Sequence, residues 1–171
     1  MTSEQPGWRN ELVTSVDDPD FGALDLWRET LASRTPPVVG YTWRGEIPLP
    51  DGLFADFSIS GSRSELDRVG ASYRTAFRGL VAHEADARKR IAERIMPLAA
   101  KWAESIDISI ANAEALAGWL KLNAISISPD SGNPPRIALW YEERTHDIFA
   151  GHSILAYFNM DGELIDADLA G

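Results

Sequence analysis

The sequence predicts an α+β fold: a mainly antiparallel β-sheet of about six strands with a long central helical region packed on one face. Three stretches carry this reading. Ile148 to Gly171 places two apolar runs around Asp161-Gly162, a strong hairpin signal. Tyr41 to Ile59 does the same around Pro50-Asp51-Gly52. Between them, apolar residues from Leu66 to Trp102 recur mainly at three- and four-residue steps, the period of one helix face.

The chain has 171 residues, 44% of them hydrophobic and 25% charged. That balance suits one domain spanning residues 1–171, with roughly two-thirds of its unfolded surface buried. The chain has no cysteine, which excludes disulfides, thiol nucleophiles and zinc–thiolate sites. The N-terminus shows no basic and apolar leader, so no signal peptide is expected. No run approaches a membrane span of about 20 apolar residues. The expected location is cytoplasmic. The formal net charge of −10 disfavours nucleic acid and anionic membranes and favours a basic partner.

Residues 1–19 read as an irregular segment ending in the turn cluster Asp17-Asp18-Pro19-Asp20. Phe21 to Trp27 reads as a short strand, and Pro36-Pro37 ends any helix there. In the Tyr41–Ile59 hairpin, aligning the apolar faces sets Leu49 opposite Leu53 across a three-residue loop. Gly45 then opposes Phe57, whose ring is expected to cover it. Pro48 lacks an N–H and implies an edge or bulge.

Ser62-Arg63-Ser64-Glu65 has capping-box spacing at the head of the helical region. Gly79 or Pro97 is expected to kink or divide that region. Glu84 fills the one gap in its apolar stripe, and His83-Glu84 reads as a surface pair. Asn112 suits the N-cap of a short helix to Trp119. Leu120 to Ser128 reads as a strand with a bulge near Asn123. Pro129 to Pro135 reads as a loop and Arg136 to Glu142 as a strand, with Trp140 opposite in face to Ile137, Leu139 and Tyr141. In the last hairpin, Asp161-Gly162 as a two-residue loop pairs Phe158 with Ile165, Ala156 with Ala167, and Ile154 with Leu169 on the apolar face. Tyr157 then meets Asp166, and Leu155 meets Asp168, on the other.

The last third also carries a resemblance. Leu-x-Leu-x-x-Ile-x-Ile from Leu120 to Ile127 precedes Leu139-Trp140-Tyr141, Ile148-Phe149-Ala150-Gly151-His152-Ser153-Ile154 and the Asp161-Gly162 turn. Asp20-Phe21-Gly22-Ala23-Leu24 and the Trp43 strand fit the same layout. The chain resembles the bacterial domain-of-unknown-function family numbered twenty-two sixty-two, from about Asp17 onward. That family implies no activity. Proteins of this general kind often sit beside secreted toxins as immunity proteins.

The chain has three histidines. His83 lacks the second His four residues on that a zincin helix needs. His146, Asp147 and His152 flank the last strands, but their spacing matches no metal motif. His152 shares a face with Ile154, Ala156 and Phe158, opposite Gly171. It reads as a structural residue, bonded to backbone or to the terminal carboxylate. Gly151 and Gly162 also read as structural, Gly162 because its turn needs φ > 0. Six tryptophans are many for this length; core packing accounts for most, and an exposed one suits a partner contact.

Two function classes remain. The first is a non-catalytic protein-binding module, such as an immunity protein against a basic toxin. It would use Asp166, Asp168 and Tyr157, with Trp140, His146 and Asp147 beside them, and no cofactor. The alternative is a small enzyme, metal-dependent or not, using His152 with His146 or Asp147.

Overall fold

The computed structural model describes residues 8–61, 63–128 and 136–170. Its strands are β1 (Trp8–Asp18), β2 (Gly22–Leu31), β3 (Val38–Pro48), β4 (Phe54–Ser60), β5 (Leu120–Ser128), β6 (Arg136–Glu143), β7 (Ser153–Phe158) and β8 (Leu164–Ala170). They form one eight-stranded sheet whose spatial order is the chain order. Every neighbouring pair is antiparallel except β4 and β5, which run parallel. Parallel neighbours cannot be joined by a tight turn. The crossover between them holds α1 (Arg63–Arg68), α2 (Ala71–Ala82), α3 (Glu84–Glu104) and α4 (Ala113–Trp119).

The α+β, mainly antiparallel reading therefore holds, with eight strands where about six were expected. Residues 8–18 are a strand, not an irregular segment; residues 1–7 lie outside the described ones. β1 hides in the sequence for a physical reason. It is an edge strand, and a bulge at Val13 shifts its alternation midway. The Ser62 cap and the Pro129–Pro135 loop also fall outside the described residues.

The helical stripe and one parity of the strands form a single apolar core. Trp43, Phe57, Ile59, Ile127, Leu139, Tyr141, Ile154 and Phe158 face Phe77, Ala87, Ile91 and Ile95 across it. Fully burying such an aliphatic or Phe side chain stabilises the fold by roughly 1.5–3 kcal/mol. Neither Gly79 nor Pro97 divides the helices: the breaks fall at Val69-Gly70 and at His83, and Pro97 sits inside α3. His83 is both the end of α2, its N–H bonded to Gly79 O, and the start of α3. Asn112 caps α4 as expected, its side chain accepting from Ala115 N at 2.9 Å.

Gly45 does oppose Phe57, but the ring does not cover it. Phe57 stacks on Phe21, with centroids 4.9 Å apart. A Cβ at Gly45 would stand 2.5 Å from Ala23 O, so glycine is required by the close approach of β2. Pro48 lies beyond Arg44, the last β3 residue paired to β2, where its missing N–H costs no ladder bond. The β1–β2 turn is pinned to α2 by Arg74, which bonds Asp18 Oδ1 at 2.6 Å and Asp20 Oδ2 at 2.9 Å and lies over Phe21.

The last hairpin departs from its expected turn. Asn159 N donates to Glu163 O, and Gly162 N to Asn159 O, which makes Met160-Asp161-Gly162 a three-residue loop. Only Gly162 of the three has φ > 0, at 75°. Phe158 consequently faces Leu164. A bulge at Ile165 then restores the expected pairs Tyr157–Asp166, Ala156–Ala167 and Ile154–Leu169. Ile165, expected in the core, is 41% exposed.

Candidate binding face

Core packing uses one parity of the strands, so the other parity makes a second face. Register carries single rows of side chains across it. One row runs Ser15, Asp25, Arg44, Ser58, Ser126, Ala138, Tyr157, Asp166. The next runs Glu46, Asp56, Ala124, Trp140, Leu155, Asp168. The second row is apolar at its centre and acidic at both ends. Phe54, two residues before Asp56 and thus on the same face, is the most exposed large apolar side chain among the described residues, at 64%.

Trp140, Leu155 and Tyr157 are half-buried on this face, and Asp56 and Asp168 are exposed. Arg136 lies 5.4 Å from the Tyr157 ring centroid. These side chains shelter Ala138, which is buried although it points away from the helices. Asp166 is less free than its register suggests. Its carboxylate, at the edge of the sheet, meets Arg94 of α3 at 3.5 Å. The sequence-predicted residues Trp140, Tyr157, Asp166 and Asp168 thus come together. Sequence reasoning missed Phe54, Asp56 and Glu46, which only the parallel β4–β5 pairing brings alongside Trp140.

His146 and Asp147 stand apart, on the connector beyond β6. Glu143 organises that connector: its buried carboxylate accepts from Thr145 N, His146 N and Ile148 N. Ile148 and Phe149 plug into the core. Asp147, Ala150 and Gly151 turn the chain with φ of 52°, 50° and 82°. Asp147 Oδ1 takes the Gly151 N–H at 2.9 Å. The exposed His146 ring lies edge-on to Trp119, 4.4 Å between centroids, and His152 edge-on to Trp102, 5.6 Å between centroids. His152 is half-buried. Of its two expected partners, backbone or the Gly171 carboxylate, the second lies outside the described residues. Of the six tryptophans Trp43 is fully buried and Trp102 and Trp119 pack against the core, so core packing explains half of them where most were expected.

The core holds one acid beside a cavity. Glu84, expected at the surface with His83, is buried at 8% exposure. It meets Arg88 at 3.4 Å, and Arg88 donates to Leu120 O. The Tyr141 hydroxyl faces Glu84 without closing a hydrogen bond of normal geometry. Burial, and then the charge of Glu84, push that phenol well above its usual range. The adjoining cavity of about 60 Å3 has room for water but not for an organic substrate. A larger hollow of about 410 Å3 lies between α2, α3 and the β7–β8 loop. Its guanidinium, Arg90, is already committed to Gly162 O and the Phe158 ring. Among the described residues no group of three or more His, Asp or Glu side chains is placed to hold a metal ion. No helix among them is long and apolar enough to cross a membrane.

A family model described as an uncharacterized protein conserved in bacteria (DUF2262) matches residues 55–169. The chain belongs to the DUF2262 family. The match covers β4, all four helices and β5–β8, and so contains Trp140, Leu155, Tyr157 and the aspartates of β8. The Asp20–Leu24 and Trp43 stretches, expected to belong to the family layout, lie outside it. In DUF2262 terms, β1–β3 extend the matched region by three strands on its β4 side. No curated protein and no solved structure matches the chain.

Proposed function

We propose that this DUF2262 protein is a non-catalytic, cytoplasmic binding module whose open sheet face receives a basic protein, with an immunity protein against a basic toxin as the concrete form. The observation that carries this reading is the cross-strand row Glu46-Asp56-Ala124-Trp140-Leu155-Asp168, an apolar centre closed by carboxylates at both ends. Trp140 and Leu155, with Tyr157 and Phe54 beside them, supply contact area of the kind that dominates binding energy. The carboxylates and the overall charge of −10 steer a cationic partner and reject anionic ones.

The test is a pull-down from the native host, with the captured protein identified and its affinity then measured against variants. Trp140→Ala and the pair Asp56→Lys, Asp168→Lys should each weaken binding by about tenfold or more, the charge variants mainly through slower association. Glu93→Lys, on the exposed side of α3, serves as a control and should leave affinity within about twofold. Binding that ignores the open-face variants, or that follows Glu93, removes this reading.

A further inference from the structure

Register divides the side chains of β1–β3 between two faces as it does those of β4–β8. On the open face, Trp8, Leu31 and Val38 form one row, and Leu12, Trp27 and Thr42 another. Leu12 and Val38 are 50% and 45% exposed, and Trp8, Trp27 and Leu31 are half-buried. The five apolar side chains make a second patch on the face that carries Trp140. Trp27 on β2 and Trp140 on β6 are four strands apart, roughly 19 Å at about 4.8 Å per strand.

Charge separates the two faces of this region. The open face of β1–β3 bears Asp17, Asp25, Glu29 and Glu46 against one cation, Arg44, which Glu29 pairs. Arg9 and Arg28 point to the opposite face, where Arg28 meets Glu11 at 3.7 Å. Val39 and Tyr41 are also exposed on that opposite face, but there the guanidinium groups repel a basic partner. On the open face the carboxylates attract one.

We propose that Trp8, Leu12, Trp27, Leu31 and Val38 are a second anchor for the same basic partner, which is therefore a folded domain spanning the sheet rather than a short peptide. This rests on the binding role assigned to the Trp140 row. That row has six residues, a fraction of the roughly 20–30 a side that specific protein complexes use. An extended peptide adds along a sheet edge and reads alternate side chains of one strand. Two apolar patches four strands apart on one face, with carboxylates between them, fit a rigid surface instead. β1–β3 lie outside the residues that the family model matches, so the second anchor adds to what the matched region offers a partner.

The test measures affinity and rates of the full chain for the protein it captures from the native host, purified. Leu12→Gln with Val38→Gln, both at exposed positions, should weaken binding by about tenfold while circular dichroism stays unchanged. The loss should lie in faster dissociation, because neutral substitutions leave charge steering intact. Val39→Gln, next in sequence but on the opposite face, should leave affinity within about twofold. A loss with Trp140→Ala but none with the Leu12 and Val38 pair overturns the second anchor and leaves the Trp140 role standing. An equal loss with Val39→Gln overturns it too. Affinity that ignores Trp140→Ala as well as the pair, or a chain that captures no protein, removes both.

Discussion

Leu49–Leu53 and Asn159–Glu163 are the same turn written in two ways. In both, the first residue's N–H reaches the carbonyl four residues on, and the glycine N–H returns to the first residue's carbonyl. In both, an Asp-Gly ends a three-residue loop with the glycine at φ of 82° or 75°. The two hairpins diverge in the strand after the loop. Beyond Leu53 the register runs unbroken through Ala55, Phe57 and Ile59. Beyond Glu163 a bulge at Ile165 intervenes before the pairing settles. The first sequence declares its loop through Pro50, which suits the second turn position. Met160 carries no such signal, and Asp161-Gly162 alone reads as a two-residue loop. The informative residue is Asn159, whose Oδ1 accepts from both Asp161 N and Glu163 N at 2.9 Å. Dipeptide signals place a turn; the residues just before the dipeptide, Pro50 in one loop and Asn159 in the other, mark how long it is.

The largest effect separates Phe158 from Ile165. Phe158 is fully buried, so Phe158→Ala should cost about 3–5 kcal/mol in denaturant unfolding. Ile165→Ala should stay within about 0.5 kcal/mol, because the bulge holds it in solvent. A two-residue loop would pair both in the core, and both truncations would then be severe.

The β1–β2 turn extends the comparison, since a charged side chain holds it. Burial alone would raise the Asp18 carboxyl, but the Arg74 guanidinium and the N–H groups of Asp20 and Phe21 outweigh this and hold it below its usual range. A lowered folded pKa gives stability that is complete above the unfolded value of about 3.9 and is lost as pH falls through the folded one. Asp18→Asn should cost about 1–3 kcal/mol at neutral pH and flatten the acid limb of the stability–pH curve. An unchanged acid limb would show that Asp18 does not supply it.

Gly52→Val and Gly162→Val should each cost over about 1 kcal/mol, by similar amounts, because both place a β-branched residue at positive φ. A large cost at one site alone would break the equivalence of the two loops. The smallest effect compares the side chains that cap the two loops, Asn159 at the opening of one and Asp51 inside the other. Asn159→Ala removes the acceptor of two N–H groups and should cost about 1 kcal/mol, while Asp51→Ala removes only that of Leu53 N and should cost about half as much.

Much of the sheet is legible in the sequence because it follows period two: β4 and β7 bury alternate residues, and β3 and β6 keep that phase with Gly45 half-buried between Trp43 and Ile47 and with Ala138 buried on the other face. The features that escape are those that break the period. The bulges at Val13 and Ile165 each change phase once, and β1 is exposed enough that no alternation marks it. The breaks in the helical region escape for another reason: His83 and Val69-Gly70 end helices without a proline, while Pro97 is accommodated within α3. The candidate face is half legible. Hairpin register places Tyr157 with Asp166, and Leu155 with Asp168. Nothing local to β4 or β5 predicts that Asp56 stands opposite Ala124 across a parallel pair joined through four helices.

The most direct measurement is an amide chemical-shift map of the labelled protein on titration with its captured partner. The account predicts perturbations centred on Phe54, Asp56, Ala124, Trp140, Leu155, Tyr157 and Asp168, with the exposed side of α2 and α3 unmoved. Perturbations confined to the helices or to the Glu143–His152 connector, with the Trp140 row silent, would contradict it.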